Sequence, residues 1–228
     1  LKARQEGLTG IGAGGTALIG GNWQGRGTEQ NASATHVGRE VSINADAIEN
    51  GDGGNVVVWA DGTTRFYGAI SARGGAAGGL GGSVETSGKG YLDVDGARVL
   101  TRGYGNATGV WLLDPTQIEV VTSGANATLA NVDAFADPDV GGPGGTKISP
   151  ATIAGAAGSV ILQAQNDITF TDSVEMTVSG AGLTARAGGN SAINRDITTN
   201  YGNISRSAND PGGTPLVTAS VSGAGMLN

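Results

Sequence analysis

Few residues in this chain are of the types that commonly do chemistry. His36 is the only histidine and cysteine is absent, so the chain could build at most one Ser-His-Asp triad and no metal site with two histidine ligands. We interpret His36 as an exposed residue at a strand edge. Asp93 and Asp95 alternate with Leu92 and Val94, which predicts that both carboxylates lie on one outer face. Paired carboxylates are what glycoside cleavage needs, so one hypothesis for this pair is a carbohydrate-active site.

A second candidate site is an acidic loop. Asp133, Asp137 and Asp139 precede a glycine-rich segment at residues 141–145. Their carboxylates and the loop carbonyls are the hard oxygen ligands that Ca²⁺ prefers. The spacing matches neither an EF-hand nor a Gly-Gly-x-Gly-x-Asp calcium repeat. We therefore favour a solvated acidic loop, with Ca²⁺ as the only cofactor that the sequence suggests.

The aromatic residues favour packing and contact roles over catalysis. They make up only 4% of the chain, which leaves few rings for stacking against a sugar substrate and argues against an enzyme. Trp23 lies among glycines and is the candidate for an exposed contact residue. Trp59 and Trp111 lie next to valine or leucine runs, so we expect them to pack in the core or at corners. Four Asn-x-Ser/Thr acceptors could carry glycans, namely Asn31, Asn106, Asn126 and Asn203.

Composition and charge argue against several classes of partner and protein. The formal net charge is −7 over 228 residues, which argues against nucleic acid and anionic membrane surfaces, because both bind basic patches. No apolar run reaches the roughly 18 residues that a membrane-spanning helix needs. The first residues form no signal peptide and Leu1 is not methionine, so we expect a piece of a longer protein.

The elements that must position these residues recur along the chain. Gly54, Gly82 and Gly109 each open a short β-branched or apolar run, so that the pattern returns at nearly equal intervals. Strand-length pieces repeated in this way predict an all-β fold of stacked coils, a β-solenoid. One coil cannot bury its few apolar side chains alone, whereas stacking buries them continuously. The 43 glycines suit the corners and the close approaches of backbone that such a fold requires.

The pattern changes after residue 113. Ser149 as N-cap, Pro150 at the first helical position and Gly158 beyond the end predict one short helix over residues 150–157. We therefore predict three parts: coils with a period near 27–28 over residues 1–113, an irregular insertion with the short helix over 114–158, and coils with a period near 21 over 159–228.

The shorter period comes from three similar strands. Leu162, Leu183 and Ile204 follow one another at intervals of 21 residues. Residues 166–170 and 194–198 are each expected to supply the second strand of their coil. The side chains predicted to point inward along the whole chain are Val56, Val58, Ile70, Val84, Val160, Leu162, Ile168, Leu183 and Ile204.

Several of these runs resemble a known family. Residues 54–64 (GNVVVWADGTT) with 68–75 (GAISARGG) resemble the passenger repeats of large filamentous-haemagglutinin-type exoproteins. Residues 112–120 (LLDPTQIEV) and then 160–169 (VILQAQNDIT) are similar to the same family. The motifs are short, but their order is specific, and the resemblance covers roughly residues 20–208.

The resemblance implies a right-handed parallel β-helix that a Gram-negative bacterium secretes through a two-partner pathway. It also implies adhesion or a structural role at the cell surface. The amino-terminal secretion domain of this family typically carries an Asn-Pro-Asn-Gly-type motif, which this chain lacks. We therefore expect a passenger segment, with the outer-membrane transporter engaged through a segment outside this sequence.

Two hypotheses for function remain open. The first is a secreted or surface-exposed structural and adhesive shaft that is not an enzyme and that contacts a host or cell-surface receptor or glycan. The second is a carbohydrate-active enzyme or carbohydrate-binding module on the same scaffold, which a deep acidic groove with stacked aromatics would favour. Neither terminus shows a clear polar cap, and residues 216–222 alternate like an ordinary strand. We therefore expect continuation into further repeats or self-association end to end into filaments.

Overall fold

The computed structural model describes residues 5–7, 12–122, 145–209, 217–219 and 224–227. In these residues the protein is all-β, with one short helix, α1 (Pro150–Ala154), and a 3₁₀ turn at Trp23–Gly25. The strands begin with β1 (Gln5–Gly7), β2 (Thr16–Ile19), β3 (Ala34–Val37), β4 (Ser42–Asn44), β5 (Asn55–Ala60), β6 (Thr63–Phe66), β7 (Ala69–Ser71), β8 (Ser83–Gly88), β9 (Tyr91–Asp93), β10 (Arg98–Leu100) and β11 (Val110–Leu113). They continue with β12 (Ile118–Val120), β13 (Thr146–Ile148), β14 (Ser159–Ala164), β15 (Ile168–Phe170), β16 (Val174–Met176), β17 (Leu183–Ala187), β18 (Ser191–Ile193), β19 (Ile197–Asn200), β20 (Ile204–Ser207), β21 (Val217–Ala219) and β22 (Ala224–Leu227).

Most strands that follow one another along the chain lie in different sheets, and the described exceptions are the pairs β12 and β13, and β20 and β21. The largest sheet has eight strands in the order β2-β5-β8-β11-β14-β17-β20-β21, and its pairings are parallel as far as β20. The other sheets are β1-β4-β7-β10, β3-β6-β9, β13-β12-β15-β18 and β16-β19-β22. Backbone hydrogen bonds therefore run mainly between one repeat and the next.

The spacing of the three opening glycines is confirmed by the strand register. The residues that follow them pair in parallel across β5, β8 and β11, so Gly54, Gly82 and Gly109 lie level. A Cβ on Gly82 would collide with the carbonyl oxygen of Gly54, and a Cβ on Gly109 would collide with that of Gly82. Glycine is needed here because neighbouring backbones approach too closely for any side chain.

The shorter period predicted for the later coils is correct for one step and wrong for the other. Leu183 pairs with Ile204, as the predicted interval requires. On its other side Leu183 pairs with Val160, so that step is two positions longer than predicted, and Leu162 pairs with Ala185 instead. Val160 and Leu162 both point inward, so a shift by two positions preserves the inward pattern and cannot be detected from it.

The prediction that residues 166–170 and 194–198 are equivalent second strands is also wrong. β15 pairs with β18, whereas β19 pairs with β16. The repeats from β14 to β16 and from β17 to β19 therefore have three strands each, and the two predicted segments fall in different sheets.

One sheet is assembled out of chain order. β12 pairs with β13 on one side and with β15 on the other. Leu92 of β9 donates its main-chain N–H to Thr146 Oγ1 of β13 at 3.0 Å. β13 therefore lies between β9 and β12, although it comes later in the chain than both. Ile118, Val120 and Ile148 of these strands are buried in the common core.

The helix begins where the sequence predicts and ends earlier. Ser149 is the N-cap and Pro150 the first residue, as expected, but the last residue is Ala154 and the C-cap is Gly155. The predicted end at residue 157 is wrong because the chain is already extended there. The N–H of Ala157 donates to a carbonyl oxygen of β10 at 3.0 Å.

The nine side chains predicted to point inward are all buried, each at most 2% exposed. They belong to one hydrophobic cluster that also contains Trp111, which confirms the core position expected for that residue. The indole Nε1 of Trp111 donates to Thr86 Oγ1 at 2.9 Å inside the core. Burial of each large aliphatic side chain of this kind contributes about 1.5–3 kcal/mol.

The last two described strands reverse direction. β21 pairs antiparallel with β20, and β22 pairs antiparallel with β19. The sequence predicts an ordinary strand over residues 216–222 that another coil would extend, whereas the described strand β21 runs antiparallel to its neighbour.

No helix within the described ranges has the length and apolar character needed to cross a membrane.

Candidate functional site

The outer face of the eight-stranded sheet carries a buried patch. Side chains along β5, β8 and β11 alternate between the core and the opposite face, and Val57, Trp59, Glu85 and Leu112 lie on the opposite face. Their exposed fractions are nevertheless only 0, 5, 0 and 2%. Part of their cover is a segment that we call the Trp23 loop, residues 22–27, whose 3₁₀ turn contacts β5 and β8.

Polar contacts at its tip hold the Trp23 loop against the sheet. Gln24 has φ 53° and ψ 32°, the left-handed region that residues other than glycine rarely adopt. Its main-chain N–H donates to Glu85 Oε2 at 2.8 Å, and its side-chain Nε2 donates to Asp114 Oδ2 at 3.2 Å. Strained backbone persists only where its surroundings determine it. These contacts to two neighbouring repeats therefore fix the conformation of Gln24.

A second set of contacts anchors the loop at Trp59. A Cβ added to Gly25, where φ is +63°, would lie 2.5 Å from Trp59 Cζ2, so the loop backbone lies directly on the indole ring. Trp59 Nε1 donates to Asp61 Oδ1 at 3.0 Å. Asn31 Nδ2 donates to the same oxygen at 3.0 Å and to the carbonyl oxygen of Gly25 at 2.9 Å. Trp59 is thus buried as predicted, but beneath a loop on the outer face.

Glu85 is fully buried beneath the loop. Its Oε2 accepts the N–H of Gln24, while its Oε1 makes no hydrogen bond within 3.5 Å. Burial raises the pKa of Glu85 to about 7. The N–H of Gln24 and the Ser87 hydroxyl act in the opposite direction, and the charge of Asp114 adds to the increase. At neutral pH the carboxyl group is therefore divided between its protonated and ionised forms.

Asp114, directly after β11, is the second carboxyl group of the patch. Its Oδ2 accepts Gln24 Nε2 at 3.2 Å and Gln163 Nε2 at 3.1 Å, and its main-chain N–H donates to Ser87 Oγ at 3.1 Å. Burial raises the pKa of Asp114 to about 6, although the two amide hydrogen bonds lower it. Two carboxyl groups from adjacent repeats, each with a raised pKa, thus share the single residue Gln24.

A groove of about 250 Å³ lies beside the loop, which is smaller than the roughly 300–1,000 Å³ of typical ligand pockets. The Trp59 ring borders the groove but is only 5% exposed, so it offers little surface for stacking. Glu85 has no exposed surface and cannot meet a ligand while the loop is in place. The polar and charged side chains that line the groove are those of Gln24, Arg26, Asp61, Lys89, Asp114, Thr116, Gln163 and Gln165.

Comparison with known proteins does not assign this chain to a family. The chain matches no protein-family model and no curated protein. The resemblance of residues 54–64 and 112–120 to filamentous-haemagglutinin-type exoproteins therefore stays a prediction that rests on short motifs.

His36 and Asp93 differ from what the sequence predicts, whereas Asp95 does not. His36 lies on the edge strand β3 but is half-buried, and its ring meets the Tyr67 ring edge-on with 5.8 Å between centroids. Asp93 is 1% exposed and accepts the Tyr67 hydroxyl at 2.9 Å, whereas Asp95 is exposed. The two carboxylates therefore do not form an exposed pair, because Tyr67 covers Asp93 and leaves only Asp95 in contact with solvent.

The predicted metal and contact residues have different outcomes. Asp133, Asp137 and Asp139 lie outside the described residues. Over residues 12–122 and 145–209, no group of three or more histidine, aspartate or glutamate side chains could hold a metal ion. Trp23 is half-buried in its loop, with its main-chain N–H donating to Asn22 Oδ1 at 2.7 Å. Its role as a contact residue stays a prediction.

The four candidate glycan acceptors differ in accessibility. Asn31 is half-buried and donates both of its described amide hydrogen bonds to the Trp23 loop and to Asp61, so a glycan on Nδ2 would displace one of them. Asn106 and Asn203 are exposed. Asn126 lies outside the described residues.

Sequence reasoning missed Gln24, Glu85 and Asp114 as a cluster. The available signal was Glu85, a charged residue in the middle of the run at 82–88 that was otherwise assigned to a packed strand. Nothing in the sequence indicates that residue 24 folds over a strand 61 residues away.

Proposed function

We propose that this chain is a right-handed parallel β-helix that serves as a structural and adhesive shaft segment of a large bacterial exoprotein. The observation that carries the proposal is the largest sheet, in which seven strands from β2 to β20 pair in parallel, one from each repeat. At about 4.8 Å per strand, these seven strands extend over about 30 Å. Repeats that pair only with their neighbours can be added without limit, which suits a shaft.

The location belongs to the same proposal. A shaft of this kind is secreted to the surface of a Gram-negative bacterium by a two-partner pathway, with its outer-membrane transporter bound by a segment outside this sequence. It self-associates or continues into further repeats, and it contacts a receptor or glycan on another cell. The support for this part is the motif resemblance, together with a net charge of −7 that is unsuited to nucleic acid.

Two measurements test the shaft. An experimental structure must show right-handed coils, and an antiparallel sandwich or a left-handed coil would refute the architecture. Sedimentation of the purified 22.4 kDa chain over a wide concentration range tests self-association. Growth to large species with concentration supports filament formation, and a monomer at every concentration refutes it. Beads coated with the chain should adhere to cells more than beads coated with an unrelated acidic protein.

A second candidate function, carbohydrate cleavage, has one observation in its favour. Glu85 and Asp114 both have a raised pKa, at about 7 and about 6, and one acid with a raised pKa is what glycoside hydrolysis uses. This function requires the Trp23 loop to move, because Glu85 is fully covered. Release of reducing ends from acidic and neutral polysaccharides, abolished by Glu85→Gln and by Asp114→Asn, would support it. No release by the unmodified chain between about pH 5 and pH 8 would refute it.

A further inference from the structure

A larger cleft, of about 490 Å³, lies where three successive repeats turn the same corner. The strands β4, β7 and β10 pair in parallel register. The residues four positions after the start of each strand are Asp46, Arg73 and Arg102, and all three line the cleft. The repeat therefore places one carboxylate and two guanidinium groups in a column.

Asp46 fixes the first guanidinium group. Its Oδ2 accepts Arg73 Nη2 at 2.8 Å and Nε at 3.1 Å, and its Oδ1 accepts the main-chain N–H of Arg73 and the hydroxyl of Ser71, both at 2.7 Å. Asp46 is only 7% exposed, whereas the Arg73 side chain is 54% exposed. A buried carboxylate thus orients Arg73, which lines the cleft, and Arg73 Nη1 takes part in no described hydrogen bond.

Arg102 has no such partner. Its one hydrogen bond among the described residues runs from Nη2 to the carbonyl oxygen of Gly105 at 3.3 Å, and it forms no ion pair there. Asp46 already neutralises Arg73, so the column carries one uncompensated positive charge. In a chain of net charge −7, this is a local reversal of sign that favours an anionic ligand.

The cleft also offers an aromatic and an aliphatic surface. Tyr104 is 59% exposed and Ile48 is 53% exposed, and both line the cleft. The turn that carries Tyr104 is held by its N–H, which donates to the carbonyl oxygen of Gly79 at 2.8 Å. The carbonyl oxygen of Tyr104 accepts the N–H of Ala107 at 3.1 Å. An exposed ring on a fixed turn supplies contact area at a small loss of conformational entropy.

We propose that this cleft binds an acidic sugar unit of a polysaccharide. The carboxylate or sulfate of the sugar pairs with Arg102 and with the free edge of Arg73, because guanidinium groups bind such planar or tetrahedral anions through paired hydrogen bonds. The apolar face of the sugar ring packs on Tyr104. The volume of about 490 Å³ is within the roughly 300–1,000 Å³ of known ligand pockets. This site rests on the glycan contact proposed for the shaft and names the chemistry of that glycan, but it does not depend on filament formation.

Isothermal titration calorimetry of the full chain tests the site. The probes are a galacturonic acid trisaccharide, a sulfated galactose trisaccharide and the neutral galactose trisaccharide, each at low and at high salt. We expect one or both acidic probes to bind, more weakly at high salt, and the neutral probe to bind at least tenfold more weakly. The two acidic probes distinguish a carboxylate ligand from a sulfate ligand.

Variants connect the binding to the cleft. Arg102→Gln should lower the affinity by about tenfold or more. Arg102→Lys should have an intermediate effect, because lysine keeps the positive charge but lacks the paired N–H donors of the guanidinium group. Tyr104→Ala should lower the affinity about three- to tenfold. The matched control is Arg195→Gln, because Arg195 is an exposed arginine outside the cleft and, like Arg102, makes one described side-chain hydrogen bond to a main-chain carbonyl oxygen.

Three outcomes would overturn the proposal. They are no binding of either acidic probe, equal binding of the neutral probe, and an affinity that Arg102→Gln leaves unchanged. Circular dichroism of each variant separates a lost ligand contact from a lost fold. Failure of this test leaves the shaft proposal standing, since sedimentation and the handedness of the coils do not depend on Arg102.

Discussion

Replacing Glu85 by glutamine should make the stability of this protein less dependent on pH. Glutamine keeps the shape of the side chain, and its oxygen can still accept the N–H of Gln24, which lies 2.8 Å from Glu85 Oε2. It cannot ionise, so the buried patch beneath the Trp23 loop no longer has to hold a negative charge away from water.

The magnitude follows from the pKa values of the two states. An unfolded glutamate ionises near pH 4.5, whereas burial raises the pKa of Glu85 to about 7 in the folded protein. Between these values the folded state keeps a proton that the unfolded state has released. The stability from Glu85 is therefore complete below about pH 4.5 and falls until about pH 7. The gap of about 2.5 between the two pKa values corresponds to roughly 3 kcal/mol.

Urea unfolding followed by circular dichroism between about pH 4 and pH 9 measures this effect. The unmodified chain should lose roughly 3 kcal/mol more than Glu85→Gln across this range. Asp114 titrates in both proteins, so the difference between their curves reports Glu85 together with its charge interaction with Asp114. Glu175→Gln, at an exposed position of β16, should follow the unmodified chain. Parallel curves for Glu85→Gln and the unmodified chain would show that the Glu85 carboxyl group is not held as described.

Three further changes test the core, the loop and the cleft. Leu162→Ala should lower the free energy of unfolding by about 2–5 kcal/mol. Ile161 is half-buried on the opposite face of the strand, so Ile161→Ala should lower it by less. Equal losses from the two substitutions would contradict the register. Gly25→Ala should cost about 1–3 kcal/mol because it strains a positive φ and presses on Trp59, with changed tryptophan fluorescence as a second readout. Asp46→Asn should cost about 1.5–3 kcal/mol at neutral pH. Burial raises the pKa of Asp46, but its hydrogen bonds with Arg73 and Ser71 outweigh burial and hold the pKa below 3.8. The cost of Asp46→Asn should therefore shrink as the pH falls below 3.8 and Asp46 becomes protonated. A cost that does not change with pH would contradict this account of Asp46.

The early repeats could be predicted because glycine marks where coils touch. Gly54, Gly82 and Gly109 occur once per repeat where a Cβ would collide with the neighbouring backbone, so their spacing reports the register directly. The later repeats lack such a marker at every step. Val160 and Leu162 are equally apolar and point the same way, so choosing Leu162 as the partner of Leu183 kept the pattern and misplaced the register by two positions.

The candidate site could not be predicted because it depends on which loop covers which face. Alternation along β5 places Trp59 outward, but its burial depends on Gly25, which folds over it from another repeat. In the same way Asp93 occupies a position that alternation assigned to solvent, and Tyr67 covers it through a hydrogen bond across 26 residues. Local periodicity reports the two faces of a strand and does not report the cover that a distant segment provides.

The position of β13 between β9 and β12 constrains the order in which the chain can assemble. During synthesis, which starts at the amino terminus, β11 can pair with β8 as soon as β11 has been made. β12 has no such neighbour, because β13, the strand that joins it to β9, is made only later. Long-range pairing of this kind is slow, because the entropy of closing the loop is lost before any stabilising contact forms. The strand β12 therefore gains its first partner only when β13 arrives, whereas β14 can pair with β11 directly. The sheet that contains β12 is thus expected to form later than the part of the largest sheet made before it.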